Sequence, residues 1–283
     1  MKSFLLVIFL AVLASGLTAC GSSSGSITAP PAPTPTPLQI SRAYVTNGGS
    51  QSLTQYALPL TAATTLTAST QVGYAVGIAF DPSLTHLFAA VDTSNGPVNV
   101  YNVPVTSTPA FSLNLFSQPV DVKTDSAGNL YILDNNAIKE IKAPITSTST
   151  VAFTSQNLNS PSGIAVDSSG SVYVATLGKP FPVVPGNITI FPAPFGPGSV
   201  PFTINSTGTM QYGDIAFDQT GRMFALTSSS KVEVYNSPFN AASKPAFTFN
   251  SGVGSPFYMA FDPSGNLAIV GQGGYGGLGG LSV

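Results

Sequence analysis

The 283-residue chain is 43% hydrophobic but only 7% charged, with a net charge of −2 and its nine Lys and Arg residues scattered singly. Ordinary domains carry roughly a quarter charged residues, so the solvated surface must be built from Ser, Thr, Asn, Gly and Pro. A phosphate-tracking groove, and with it nucleic acid as a partner, is excluded by the scattered basic groups. The lone cysteine, Cys20, excludes an intrachain disulfide.

The chain begins with a targeting pattern. Lys2 precedes an apolar run over residues 4–13, shorter than the ~20 residues a membrane-spanning helix needs. The run leads into Leu17-Thr18-Ala19-Cys20. That ending resembles the lipobox of bacterial lipoproteins, whose cysteine is lipidated after cleavage just before it. The resemblance implies a signal peptide over residues 1–19, a lipid on Cys20, and an exported protein anchored to the cell envelope, at the outer membrane or cell surface. Residues 21–37, GSSSGSITAPPAPTPTP, carry no apolar period. Together with Cys20 they read as a tether, flexible in its Ser/Gly half and extended in its Pro half. The folded body is then residues 38–283.

Within that body one phrase recurs. At residues 161–176 it reads PSGIAVDSSGSVYVAT, two short strands joined by a turn at Asp167-Ser168-Ser169-Gly170. The copies align on Asp81, Asp125, Asp167, Asp218 and Asp262, at intervals of 44, 42, 51 and 44 residues. The aspartate opens the turn by accepting backbone N–H groups ahead of it, and a glycine supplies a positive φ at Gly128, Gly170, Gly221 and Gly265. The first copy, Asp81-Pro82-Ser83-Leu84, lacks that glycine. A period near 40–45 residues with four strands per unit predicts a propeller blade. The expected fold is all-β, a six-bladed β-propeller of four-stranded antiparallel blades, the first and last incomplete. Each unit reads as strands A to D, with prolines 104, 144, 194 and 238 closing the C strands. No helix is predicted beyond the leader, because apolar residues fall in β-branched or aromatic runs of four to six.

Two further resemblances sit in these repeats. Ala43-Tyr44-Val45-Thr46-Asn47 resembles the YVTN-type propeller repeat, and Gly128-Asn129-Leu130-Tyr131-Ile132-Leu133-Asp134-Asn135-Asn136 resembles the NHL repeat. These resemblances imply a propeller used mainly for binding protein, glycan or nucleic acid; some relatives are metal-dependent lactonases of the gluconolactonase-like type. In a propeller the D–A and B–C connections share one face around the central channel. The strand-start positions there are Gly77, Asp121, Gly163, Asp214 and Tyr258. Lys123 stands where other copies keep Ala and faces the same side as Asp121. The predicted ligand-facing set is Asp121, Lys123, Asp134, Asn135, Asp214, Tyr74, Tyr212 and Tyr258, with Asp92, Asn136 and Gln272 in the same loops.

Catalytic side chains are scarce. The sequence holds one histidine, His86, in an A–B turn on the opposite face, so no histidine cluster can bind zinc. Glu140 and Glu233 lie on C strands, and Glu233, alternating with Val232 and Val234, is expected to face solvent. Calcium binding, under the lactonase alternative, would have to use Asp121, Asp214 and an Asn, a departure from that family's carboxylate set. Three motif matches fail on context: 21–25 (GxSxG), 271–276 (GxGxxG) and 228–231 (SxxK) lack the flanking elements their chemistry needs. The reading is therefore a lipid-anchored, monomeric binding or scaffold protein of the envelope, performing no catalysis and needing no cofactor, whose partner is an envelope protein, peptide or glycan.

Overall fold

The computed structural model describes residues 5–8, 42–47, 49–57, 66–180, 183–206, 211–262, 265–271 and 281–282. Cys20, the tether and Gln272 lie outside the described residues. The fold is an all-β propeller of antiparallel sheets arranged around a channel. Blade 1 is Leu5–Ile8, Arg42–Asn47, Ser52–Ala57 and Leu66–Gln71. Blade 2 is Ala75–Phe80, His86–Val91, Val98–Asn102 and Phe111–Leu113. Blade 3 is Pro119–Thr124, Leu130–Asp134, Ala137–Ile141 and Phe153–Thr154. Blade 4 is Pro161–Val166, Val172–Thr176, Asn187–Phe191 and Phe202–Asn205. Blade 5 is Tyr212–Phe217, Met223–Thr227, Lys231–Tyr235 and Phe247–Asn250.

A sixth sheet follows with three strands, Pro256–Phe261, Leu267–Gly271 and Leu281–Ser282. Five four-stranded blades and one three-stranded sheet stand where six blades, the first and last incomplete, were expected. The first unit is also not short of its inner strand. Leu5–Ile8, from the segment expected to be a leader, pairs antiparallel with Arg42–Asn47, Leu5 opposite Asn47 and Ile8 opposite Tyr44.

The turn expected after each A strand forms as its chemistry requires. In blades 3 to 5 and the sixth sheet the aspartate carbonyl accepts the N–H of Gly128, Gly170, Gly221 and Gly265. Those glycines have φ between 79° and 86°, a region that costs other residues roughly 1–2 kcal/mol. In blade 2 Leu84 takes the same place at φ 59°.

The 51-residue interval before Asp218 also has a structural cause. Blade 4 carries an extra hairpin between its second and third strands, Lys179–Pro180 paired with Val183–Val184. Gly178 makes it: its φ is 68°, and a Cβ there would lie on the Val184 carbonyl oxygen.

Most of the core lies between blades rather than in one centre. Ala79, Phe88, Val100, Val122 and Ile132 form the seam between blades 2 and 3, and Tyr131, Leu133, Ile164 and Val174 the next. Each sheet is covered on both faces by its neighbours, so strand residues are apolar in both directions. That removes the solvent face on which Glu233 was expected. Glu233 is instead 3% exposed and accepts hydrogen bonds from the hydroxyls of Tyr212 and Tyr235, each at 2.7 Å.

Candidate functional site: the channel mouth

One face of the ring gathers the D–A and B–C connections, and backbone bonds tie them together. The N–H groups of Asp92, Asn135, Leu177 and Ser228 donate to the carbonyls of Tyr74, Gln118, Ser160 and Gln211. The inner strands start here with a recurrent irregularity. The ladder slips beside Val120, Ser162, Gly213 and Phe257 in blades 3 to 5 and the sixth sheet. Such bulges re-aim the next side chain, and the residues that follow are Asp121, Gly163, Asp214 and Tyr258.

The two aspartates bridge sheets. Asp121 accepts the N–H of Val122 at 2.8 Å and, across the seam, that of Ile164 in blade 4 at 3.2 Å. On its other side it lies against Gly77 of blade 2, where a Cβ would be 2.5 Å from the Asp121 Cα. Asp214 repeats the arrangement one pair of blades on. It accepts the N–H of Met259 in the sixth sheet at 2.8 Å, and a Cβ on Gly163 of blade 4 would come within 2.8 Å of its Oδ1. The Gly–Asp–Gly–Asp order read along the strand starts is thus a steric code, because each carboxylate fills the space its neighbour's glycine leaves.

The charges are balanced differently. Lys123 Nζ sits 2.7 and 2.9 Å from the two oxygens of Asp121, as the two-residue spacing predicted. Asp214 has no such partner beside it, and its Oδ1 is buried with no hydrogen bond. Burial raises the Asp214 pKa most, the Lys123 ammonium lowers it and the Asp121 charge raises it again, leaving it pushed up to about 7. Half-buried Tyr258 shares this neighbourhood. Burial, then the charges of Asp121, Asp214 and Asp92 and the Tyr74 hydroxyl, push its own hydroxyl well above the ordinary tyrosine value.

The structure therefore brings Asp121, Lys123, Asp214, Tyr258 and Tyr74 together around the axis. Asp134 stands further out on the same face, where it is 4% exposed and fully engaged. It accepts the N–H groups of Ser117 and Gln118 at 2.9 and 2.6 Å and pairs with Lys139 at 2.7 Å. Gln118 continues outward by donating to Asp92 at 2.8 Å. Asn135 is exposed beside it, at φ 54°.

Tyr212 corrects the expected set. Its backbone opens the inner strand of blade 5, but its side chain is fully buried, turned into its own blade toward Glu233 and Tyr235. The hairpin of blade 4 was missed by sequence reading, although the long interval marked its place. It stands at the mouth, since a Cβ on Gly186 at its base would meet the Tyr212 N–H nitrogen at 3.1 Å. Leu177 and Val184 beside it are 40% and 46% exposed.

Among the described residues no group of three or more His, Cys, Asp or Glu side chains stands close enough to share a metal ion. His86 opens the second strand of blade 2, just after the A–B turn, and lines a groove of about 380 Å³ with Asp81, Ser83, Thr85 and Pro144. The Ser83 hydroxyl bonds Asp81 rather than the imidazole, so no serine–histidine relay forms. Burial works to raise the Asp81 pKa, but bonds from Ser83, the His86 N–H, Thr85 and the His86 ring outweigh it and hold the carboxyl below its usual range.

No protein-family model matches the chain, and no curated protein matches it. Solved structures do. A functionally unknown protein from Desulfotomaculum acetoxidans DSM 771 aligns at TM-score 0.58 and 16% identity, over 85% of this chain and 81% of that one. A chain of a mitotic checkpoint complex aligns at TM-score 0.59 and 13% identity, over 82% and 68%. A chain of a nidogen/laminin complex aligns at TM-score 0.57 and 16% identity, over 79% and 86%. At these identities the similarity establishes the β-propeller fold.

Proposed function

We propose that this chain is a binding propeller of the cell envelope, moored by a lipid on Cys20, which holds an extended peptide or a glycan of an envelope partner at its channel mouth without chemical turnover. The observation that carries the reading is the composition of that mouth. Half-buried Tyr74 and Tyr258 stand beside the Asp121–Lys123 pair, and an apolar lip, Leu177 and Val184, rises at one side. Aromatic faces with a few fixed polar groups suit sugars and peptides. The carboxylates nearest the axis already accept interblade N–H groups, which suits a rigid frame better than a reacting acid–base pair. Two of the structural relatives come from protein complexes, which agrees with a protein partner here.

The chain has ten tyrosines and no tryptophan, so tyrosine emission reports binding directly. A panel of short peptides and oligosaccharides titrated against the full chain should include at least one saturable ligand. Tyr74→Ala should weaken it about tenfold with an unchanged melting temperature. Silence across the panel, or equal binding by the variant, removes the reading. The anchor is tested separately: Cys20→Ser should abolish incorporation of a labelled fatty acid, and retained label would refute it.

A further inference from the structure

The channel mouth holds an uneven count of charge. Two buried carboxylates, Asp121 and Asp214, stand near one ammonium group, that of Lys123. Lys123 pairs with Asp121 at 2.7 Å, and among the described residues no ion pair joins it to Asp214. Asp214 is buried, its Oδ2 accepts the Met259 N–H at 2.8 Å, and its Oδ1 has no hydrogen bond. The titratable groups around it are Lys123 and Asp121 of blade 3 and Tyr258 of the sixth sheet. Blade 4 sets Gly163 against it, with no side chain. A buried carboxylate oxygen without a partner is costly.

The repeat shows which group complements that oxygen. Lys123 follows Asp121 by two residues, and its Nζ donates to Asp121 Oδ1. The residue two after Asp214 is Ala216. Each Oδ1 lies against the glycine of the preceding blade, Gly77 or Gly163, so the two carboxylates share one orientation. Ala216 takes up none of the space of a lysine arm. It is only half-buried, whereas Ala79 and Ala165, at the same place in blades 2 and 4, are buried. The complementary group is therefore an ammonium that comes from a ligand instead of from the strand. Asp214 offers it a single oxygen, which suits the point charge of an ammonium better than the two-pronged guanidinium of arginine. Because that oxygen is buried, the charge must arrive on a slim, unbranched arm and not directly on a sugar ring.

We propose, resting on the reading of the mouth as a ligand-binding surface, that it grips a lysine side chain of an extended partner peptide, whose ammonium donates to Asp214 Oδ1 as Lys123 Nζ donates to Asp121 Oδ1. Half-buried Tyr74 and Tyr258 supply ring faces for the methylene arm. With the peptide bound, two carboxylates meet two ammonium groups. Before binding, a proton keeps the balance: burial raises the Asp214 pKa most, and after the lowering by Lys123 and the further rise from Asp121 it stands at about 7. Binding thus exchanges a proton for the lysine ammonium and weakens as pH falls through that value.

The probes are the tripeptide acetyl-Gly-Lys-Gly-amide and its uncharged counterpart with norleucine in place of lysine. Each is titrated into the full chain and followed by tyrosine emission. The lysine peptide should saturate the chain and bind at least about tenfold more tightly than the norleucine peptide. Asp214→Asn keeps an acceptor for the Met259 N–H, and Ala216→Lys supplies the ammonium from the strand; each should erase that preference while the circular dichroism spectrum stays unchanged. Tyr74→Ala should weaken both peptides alike and keep the preference. From about pH 8 to about pH 5 the affinity for the lysine peptide should fall roughly a hundredfold. Calorimetry near pH 6, in buffers of different ionisation enthalpy, should show about one proton released per peptide bound. Equal binding of the two peptides overturns the lysine assignment and leaves the mouth a ligand surface. Binding of neither overturns it as well, and the wider reading then stands or falls on its own panel. A preference undiminished in Asp214→Asn or in Ala216→Lys overturns it too. So does Asp214-dependent saturation by glucosamine or by calcium at lower concentration than by the lysine peptide, which would make the occupant an amino sugar or a metal ion.

Discussion

Asp121 and Asp214 hold the same place in the repeat, yet they solve the same electrostatic problem in opposite ways. Both are nearly inaccessible, both accept an N–H from the following sheet, and both rest against a glycine of the preceding one. Two residues further on, Asp121 has Lys123 and Asp214 has Ala216. The first bridge is therefore neutralised by an ammonium group in contact with it. The second has an oxygen without a partner, and burial raises its pKa so that a proton does the same work near neutrality. A repeat can conserve a geometric joint while exchanging the chemistry that neutralises it.

The comparison is broken most severely by Lys123→Met. It would strand the Asp121 charge in a buried site, and removing one partner of such a pair costs about 3–5 kcal/mol; chemical denaturation should show the loss. Next comes Gly77→Ala, whose Cβ would overlap the backbone of Asp121 and Val122. Backbone cannot yield as a flexible side chain does, so a loss of about 2–3 kcal/mol is expected. The same change at Gly163 should cost less, since its nearest contact is longer.

A sharper test uses pH. Asp214 has a folded-state pKa raised to about 7, so the folded chain binds its proton more tightly than the unfolded chain does. Its contribution to stability is full below about pH 4 and is lost as pH rises through about 7. Asp214→Asn should flatten that part of the stability profile, removing a decline of roughly 2–4 kcal/mol. Equal slopes for both proteins would show that the proton is not held there. Smallest in effect, Ala216→Lys should convert the second bridge into the first. It should lower the Asp214 pKa, visible as a downfield carboxyl carbon signal at neutral pH, with a stability change within about 1 kcal/mol.

How much of this could be read from the residues depends on what repeats. The turn aspartates and glycines recur at fixed spacing, so the blades and their inner hairpins were legible. The Asp121–Lys123 pair was legible too, because strand alternation places positions two apart on one side. Glu233 was misread because alternation signals a wet face only when a sheet has one, and here neighbouring sheets cover both. Tyr212 was misplaced for a related reason: its backbone opens the mouth while its ring turns inward to a buried carboxylate. The hairpin at Lys179–Pro180 left only a lengthened interval, since its residues match nothing in the other copies.

The reach of the two bridges has a mechanical consequence. Asp121 accepts an N–H from blade 4 and packs against Gly77 of blade 2, and Asp214 accepts one from the sixth sheet and packs against Gly163 of blade 4, so two carboxylates touch an arc of five consecutive sheets. Blade 1 stands outside that arc and borrows neutral bonds, Thr46 to the Val76 carbonyl at 3.1 Å and Gln55 to the Val105 carbonyl at 3.2 Å. Its innermost strand comes from residues that a cut before Cys20 would carry away. Such processing would remove the partner of Arg42–Asn47 and leave blade 1 with three strands, held by its packing against blade 2 and the sixth sheet.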